Sequence, residues 1–167
     1  QIEKVRRMDI SEALYFDVIR QKPASLIASC CACGAASAGA GEEVIEKMRL
    51  FGEKVGIAFQ IKDDTFDFGT DDVGKPLGID IKEKKVTLPL IYALNNSEKA
   101  ERKQMISLVK NHQDDPRKIQ EIIDFVNAKG GVAYANERML QYQEEAFEIL
   151  RTFEPGDART GLVQLVR

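Results

Sequence analysis

From Glu42 to about Phe68 the chain runs without a proline, and its large apolar side chains return at spacings of four and three: Val44, Met48, Phe51, Val55 and Phe59. That is the stripe of a long amphipathic helix with one face on a core. The rest of the sequence reads the same way. Ser11 is placed to cap a helix through about Lys22, and Pro23 to start a second one built from small residues. Thr87 is placed to cap another, with Pro89 tolerated in its first turn. Further helices are expected near 97–111, 116–128, 131–153 and 158–166, and residues 69–86 read as a polar connection punctuated by Gly69, Gly74, Pro76 and Gly78. Alternating strand patterns are scarce, and no repeat or interdomain linker interrupts the chain. The expected fold class is all-α, an antiparallel helical bundle forming a single domain over the 167 residues.

Composition excludes several functions. With 24 basic and 27 acidic residues and a net charge of -3, the chain has no general affinity for nucleic acid. The uncharged stretch Ala24 to Gly41 is mostly Ala, Ser, Cys and Gly, whereas a spanning helix needs about 20 strongly apolar residues. A tightly packed internal helix is expected there instead of a membrane span. All three cysteines, Cys30, Cys31 and Cys33, lie in that stretch. Positions i, i+1 and i+3 of a helix diverge and no His is near, so small buried thiols in a reducing cytoplasm are expected, not a metal site or a disulfide. The start of the sequence has no apolar core of a signal peptide.

The acidic end of the long helix poses the functional question. At 3.6 residues per turn, Gln60, Asp63, Asp64 and Asp67 fall within about 100° of arc, with Phe59 and Phe66 on a different side. A helix C-terminus already carries partial negative charge. Two unit charges 4 Å apart repel by about 4 kcal/mol at an effective dielectric near 20. A solvated acidic patch relieves this in part, and Mg²⁺ relieves it better, since it takes carboxylate oxygens and commonly bridges to phosphates. Lys75, Lys82, Lys84 and Lys85 follow, and a new helix begins near Thr87. Point-charge lysines and a helix N-terminus both attract phosphate. The pattern describes a metal-diphosphate site.

Two look-alikes fail. "GTDDVGKP" fits G-x-x-x-x-G-K but has Pro76 where a Mg²⁺-binding hydroxyl belongs, and it follows a helix instead of a strand. The calcium-loop pattern is broken at Thr65 and in its glycine spacing. His112, the one histidine, reads as a surface loop residue. Asp114 and Asp115, before Pro116, read as helix caps. Tyr134, Tyr142 and Phe147 read as residues that pack or lie on a helix surface, with no aromatic binding box.

"FQIKDDTFDF…GKPLGIDIKEKKVTLPLIYAL" closely resembles the second aspartate-rich region of trans-type isoprenyl diphosphate synthases, the polyprenyl synthetase family. Phe59, Gln60, Asp63, Asp64, Asp67, Gly74, Lys75, Asp80, Lys85, Thr87, Leu88, Pro89 and Leu90 match its pattern in order. "YFDVIRQKPASLIASCCACGA" resembles the segment carrying the family's K-T-A or K-T-G, with Lys22 at its lysine, and "LRTFEPGDARTGLVQLV" resembles its C-terminal helices. The resemblance implies the isoprenoid synthase fold. It implies Mg²⁺ on Asp63, Asp64 and Asp67, bridging to an allylic diphosphate. It also implies Lys22, Lys75 and Lys85 as catalytic contacts to diphosphate oxygens, and Gln60 as a substrate-positioning residue. The expected reaction joins an allylic diphosphate to isopentenyl diphosphate, giving an all-trans polyprenyl diphosphate, with the departing diphosphate as base. A homodimer is implied for the full-length protein.

There are departures. Pro23 stands where the family usually has Thr, and no first D-D-x-x-D motif precedes Asp63. The chain therefore resembles the C-terminal half of such an enzyme, of octaprenyl-like style, and little turnover is expected from it alone. Product length stays open. The alternative is a non-catalytic helical regulatory subunit, or an interaction module, of a heteromeric prenyl synthase.

Overall fold

The structure is a computed structural model that describes residues 11–69, 78–112 and 114–167. All regular structure among them is helical. In chain order the α-helices are α1 (Glu12–Ile19), α2 (Ser25–Ser37), α3 (Glu42–Phe66), α4 (Ile79–Lys82), α5 (Leu88–Asn95), α6 (Lys99–Asn111), α7 (Pro116–Ala128), α8 (Gly131–Arg151) and α9 (Asp157–Val166). The all-α expectation holds. No helix of the described residues is long and apolar enough to cross a membrane.

The described chain forms two compact units, one with residues 11–15 and 61–136 and the other with 16–60 and 137–167. The first is built on α5 and α7. Leu88, Leu90, Ile91 and Leu94 are buried on α5, and Ile119, Ile122, Ile123 and Val126 recur at helical spacing on α7. Asp115 caps α7, its Oδ1 accepting the Arg117 N–H at 2.9 Å, and Pro116 opens it. Thr87 holds the N-cap position of α5 but makes no side-chain cap bond. A capping hydroxyl ordinarily accepts from the second or third helical N–H, and Pro89 removes the first of these donors. The polar connection expected over 69–86 contains, among its described residues, the short helix α4. Gly78 adopts φ +76°, and a Cβ there would run into Ile119 Cγ2.

The second unit packs Phe51, Ala146 and Leu150 with Met48, Val55, Phe147, Leu162 and Val163. Pro23 does not start a helix. It sits within a π-helical segment, Arg20–Ala24, that carries α1 into α2, and Ser25 Oγ donates to the carbonyls of Gln21 and Lys22 at 2.9 and 3.0 Å. Proline has no N–H to give, so a carbonyl one turn back loses its donor, and the π-turn accommodates the change in register.

Two burial expectations are corrected. Cys30 and Cys33 are exposed and Cys31 is half-buried, because α2 packs along one stripe only, with Ala28 going inside and Ala24 buried just before the helix. Phe59 is 62% exposed instead of facing the core. From Val44 to Phe59 the stripe advances past whole turns by about 60°, so Ile57, Ala58 and Ile61 take the buried face at that level.

Candidate functional site

The acidic end of α3 follows from its apolar face. Ile57, Ile61 and Phe68 are fully buried, and Asp64 and Asp67 are carried inside with them at 5% and 8% exposure. Asp63, one step round the helix, is half-buried. Each buried carboxylate needs donors, and each has them. Tyr15 Oη, itself buried, donates to Asp64 Oδ2 at 2.7 Å. Asp67 lies just past the end of α3, where its Oδ1 accepts the Ile79 N–H and its Oδ2 the Asp80 N–H, both at 2.9 Å. Its carbonyl also accepts from Gly78 N–H at 3.3 Å. Burial pushes the Asp67 carboxyl above the usual carboxylate range, helped by the charge of Asp80, while the main-chain donors pull the other way.

This clasp brings the lysine-rich segment to the acidic helix. Lys84, in left-handed backbone at φ 56°, turns the chain after α4 so that Lys85 folds back over it. Lys85 Nζ reaches Asp80 Oδ1 at 2.9 Å and Glu83 Oε2 at 2.8 Å. Those two carboxylates, Glu83 first, hold the ammonium well above its ordinary pKa, so it stays charged. An ammonium has three donors, and its side chain remains 56% exposed.

Of the residues expected at the site, the structure joins Asp67 to the start of α4 and, through Asp80, to Lys85. Lys22 is exposed in the π segment, and Gln60 is half-buried on α3, both within the second unit. Lys75 and Gly74 lie outside the described residues. Among the described residues no three His, Cys, Asp or Glu side chains converge to enclose an ion. The donor chemistry nevertheless fits Mg²⁺, which needs only one or two carboxylates beside waters and phosphate oxygens. Sequence reasoning gave no role to Tyr15, Asp80 and Glu83. Asp80 had a signal, an acid two residues after Gly78 and close to the lysines. Tyr15 had none, since 49 residues separate it from its partner.

Residues 1–126 match the profile of the family described as polyprenyl synthetase. A short chain isoprenyl diphosphate synthase of Methanothermobacter thermautotrophicus is 34% identical over 161 residues, 95% of this chain and 49% of that protein. The geranylgeranyl pyrophosphate synthase from Bacteroides thetaiotaomicron superposes with a TM-score of 0.90 at 40% identity, over 99% of this chain and 55% of that one. A polyprenyl synthase from Caulobacter crescentus CB15, solved in complex with calcium and isoprenyl diphosphate, gives 0.87 at 29% identity, over 98% and 52%. The chain thus spans about half the length of the curated relatives it matches. Over 99% and 98% of this chain its helices follow those of the all-α isoprenoid synthases, and the chain belongs to the polyprenyl synthetase family.

Proposed function

We propose that this chain supplies the second metal-diphosphate half-site of a trans-prenyltransferase, which joins an allylic diphosphate to isopentenyl diphosphate to give an all-trans polyprenyl diphosphate. The observation that carries this reading is the clasp in which Asp67 accepts from Ile79 and Asp80 while Asp80 pairs with Lys85. It ties a carboxylate-bearing helix end to a cationic segment, which are the two halves of a diphosphate grip. The Caulobacter relative's complex with calcium and isoprenyl diphosphate supports the same ligand chemistry here.

In this proposal Asp63, Asp64 and Asp67 hold Mg²⁺. Two of the lone-pair positions of Asp67 are already spent on main-chain N–H groups, so its orientation is fixed and Asp63 and Asp64 carry more of the ligation. The bound cation would neutralise charge that develops on the diphosphate as the allylic C–O bond breaks. Lys85 offers its remaining donor to a diphosphate oxygen, Lys22 and Lys75 add point charges, and Gln60 positions the substrates. Apolar walls shield the allylic cation until the isopentenyl double bond attacks, and the departing diphosphate takes the proton. A homodimer is proposed for the complete enzyme, and the cytoplasm as its compartment on the strength of three free thiols. With no earlier D-D-x-x-D in this sequence, the chain by itself should show little or no turnover.

Binding is therefore the decisive test. Calorimetry with inorganic pyrophosphate should show Mg²⁺-dependent binding to the wild-type chain and its loss in Asp63→Ala. Equal affinity in the two would refute the assigned site and return the chain to the reading of a non-catalytic helical module.

A further inference from the structure

Tyr15, which lies outside the aspartate-rich and lysine-rich segments, donates a hydrogen bond to a carboxylate of the proposed site. We propose that Tyr15 is a positioning residue for the metal-diphosphate site, its phenol fixing the Asp64 carboxylate in the orientation that receives the cation. The inference rests on the proposed function above and adds to it a residue from a different helix.

The case begins with what a buried hydroxyl costs. Tyr15 is 7% exposed, so a phenylalanine ring would fill the same space without any polar group to satisfy. The hydroxyl is used: it donates to Asp64 Oδ2 at 2.7 Å, a short contact for O–H to a carboxylate. Asp64 is 5% exposed and cannot rely on water for that oxygen. Committing Oδ2 to the phenol selects one side-chain rotamer and turns the carboxylate plane. Groups that orient a metal-binding carboxylate in this way typically change affinity about 10–100-fold when removed. Glu12, one turn earlier on α1, accepts from Tyr134 Oη at 2.7 Å, so the turn that carries Tyr15 is itself anchored within this unit.

A purely structural clamp makes a different forecast: lower melting temperature, unchanged affinity. The test titrates pyrophosphate at fixed Mg²⁺ into the wild-type chain, Tyr15→Phe, Asp64→Ala, the double variant and Asp63→Ala, with melting followed in chelator. Tyr15→Phe should bind about tenfold or more weakly, and should add no further loss in the Asp64→Ala background. If the wild type binds, Asp63→Ala does not and Tyr15→Phe matches the wild type, the positioning role is overturned while the site stands. An equal loss from Tyr15→Phe with or without Asp64 overturns it too. If wild type and Asp63→Ala behave alike, the site itself fails and takes this role with it. Should Tyr15→Phe not fold, the ultraviolet difference spectrum on adding Mg²⁺ and pyrophosphate decides: a tyrosine band in wild type that Asp64→Ala lacks supports the role, and no band in wild type overturns it.

Discussion

Asp67 is bound by geometry more than by charge. Both of its oxygens accept main-chain N–H groups at the start of α4, at 2.9 Å each. Asp67→Asn keeps one acceptor and turns an NH₂ toward the other amide, leaving a buried donor without a partner. That substitution should cost about 1–3 kcal/mol in urea unfolding even without metal, whereas a ligand whose only task is the cation would leave metal-free stability unchanged. Tyr15 gives a test that depends on pH. Its folded pKa is raised above the ordinary value near 10, by burial and by Asp64, so its share of stability is complete below that value and is lost as pH rises towards the folded one. In chelator above pH about 10, the wild-type chain should lose about 1.4 kcal/mol per pH unit more than Tyr15→Phe does. A pair of parallel stability–pH curves would contradict the buried phenol. At this scale the sequence was legible where one helix decides: the arc of Gln60, Asp63 and Asp64 is a property of α3 alone. The partners of Asp64 and Asp67 come from α1 and α4 respectively, and no local periodicity encodes them.

Two glycines show how much the helices differ in what surrounds them. A Cβ on Gly56 of α3 would stand 2.6 Å from Ala24 Cα and 3.0 Å from Ala24 Cβ, while one on Gly34 of α2 meets nothing within 4 Å. Gly34→Ala should therefore raise stability by up to about 1 kcal/mol through helix propensity. Gly56→Ala gains the same propensity but must push a neighbouring backbone aside, and overpacking costs about 1–3 kcal/mol. Its urea midpoint should fall while that of Gly34→Ala rises; the same sign for both would mean that the contact between α3 and Ala24 is not close. The contrast also explains what sequence did and did not reveal at this scale. Helices bounded by strong signals, such as Asp115 and Pro116 before α7, lie where the spacing predicts. The small residues of α2 correctly announce a close helix contact, but composition does not say that only one stripe is covered, and so Cys30 and Cys33 emerge exposed. The π segment at Pro23 and the single-turn α4 escape because neither is long enough to leave a period.

At the scale of the whole chain, the decisive property is which part a ligand stabilises. A ligand that binds only the folded state adds RT ln(1 + [L]/Kd), about 2.7 kcal/mol at a hundredfold excess over Kd. The proposed site draws Asp63, Asp64, Asp67 and Lys85 from the unit that contains residues 61–136, whereas α9 lies in the other. Amide exchange should then slow most in α4 and α5, whose first residues hang from Asp67 and follow Lys85. Mg²⁺ and pyrophosphate together should produce this protection and the stability gain, and each alone should produce much less, since carboxylates bind the cation weakly until phosphate oxygens complete its shell. Asp63→Ala should abolish both effects. Protection that appears equally in α9, or that survives in Asp63→Ala, would mean that the anion binds elsewhere on the chain and that the clasp serves the fold alone.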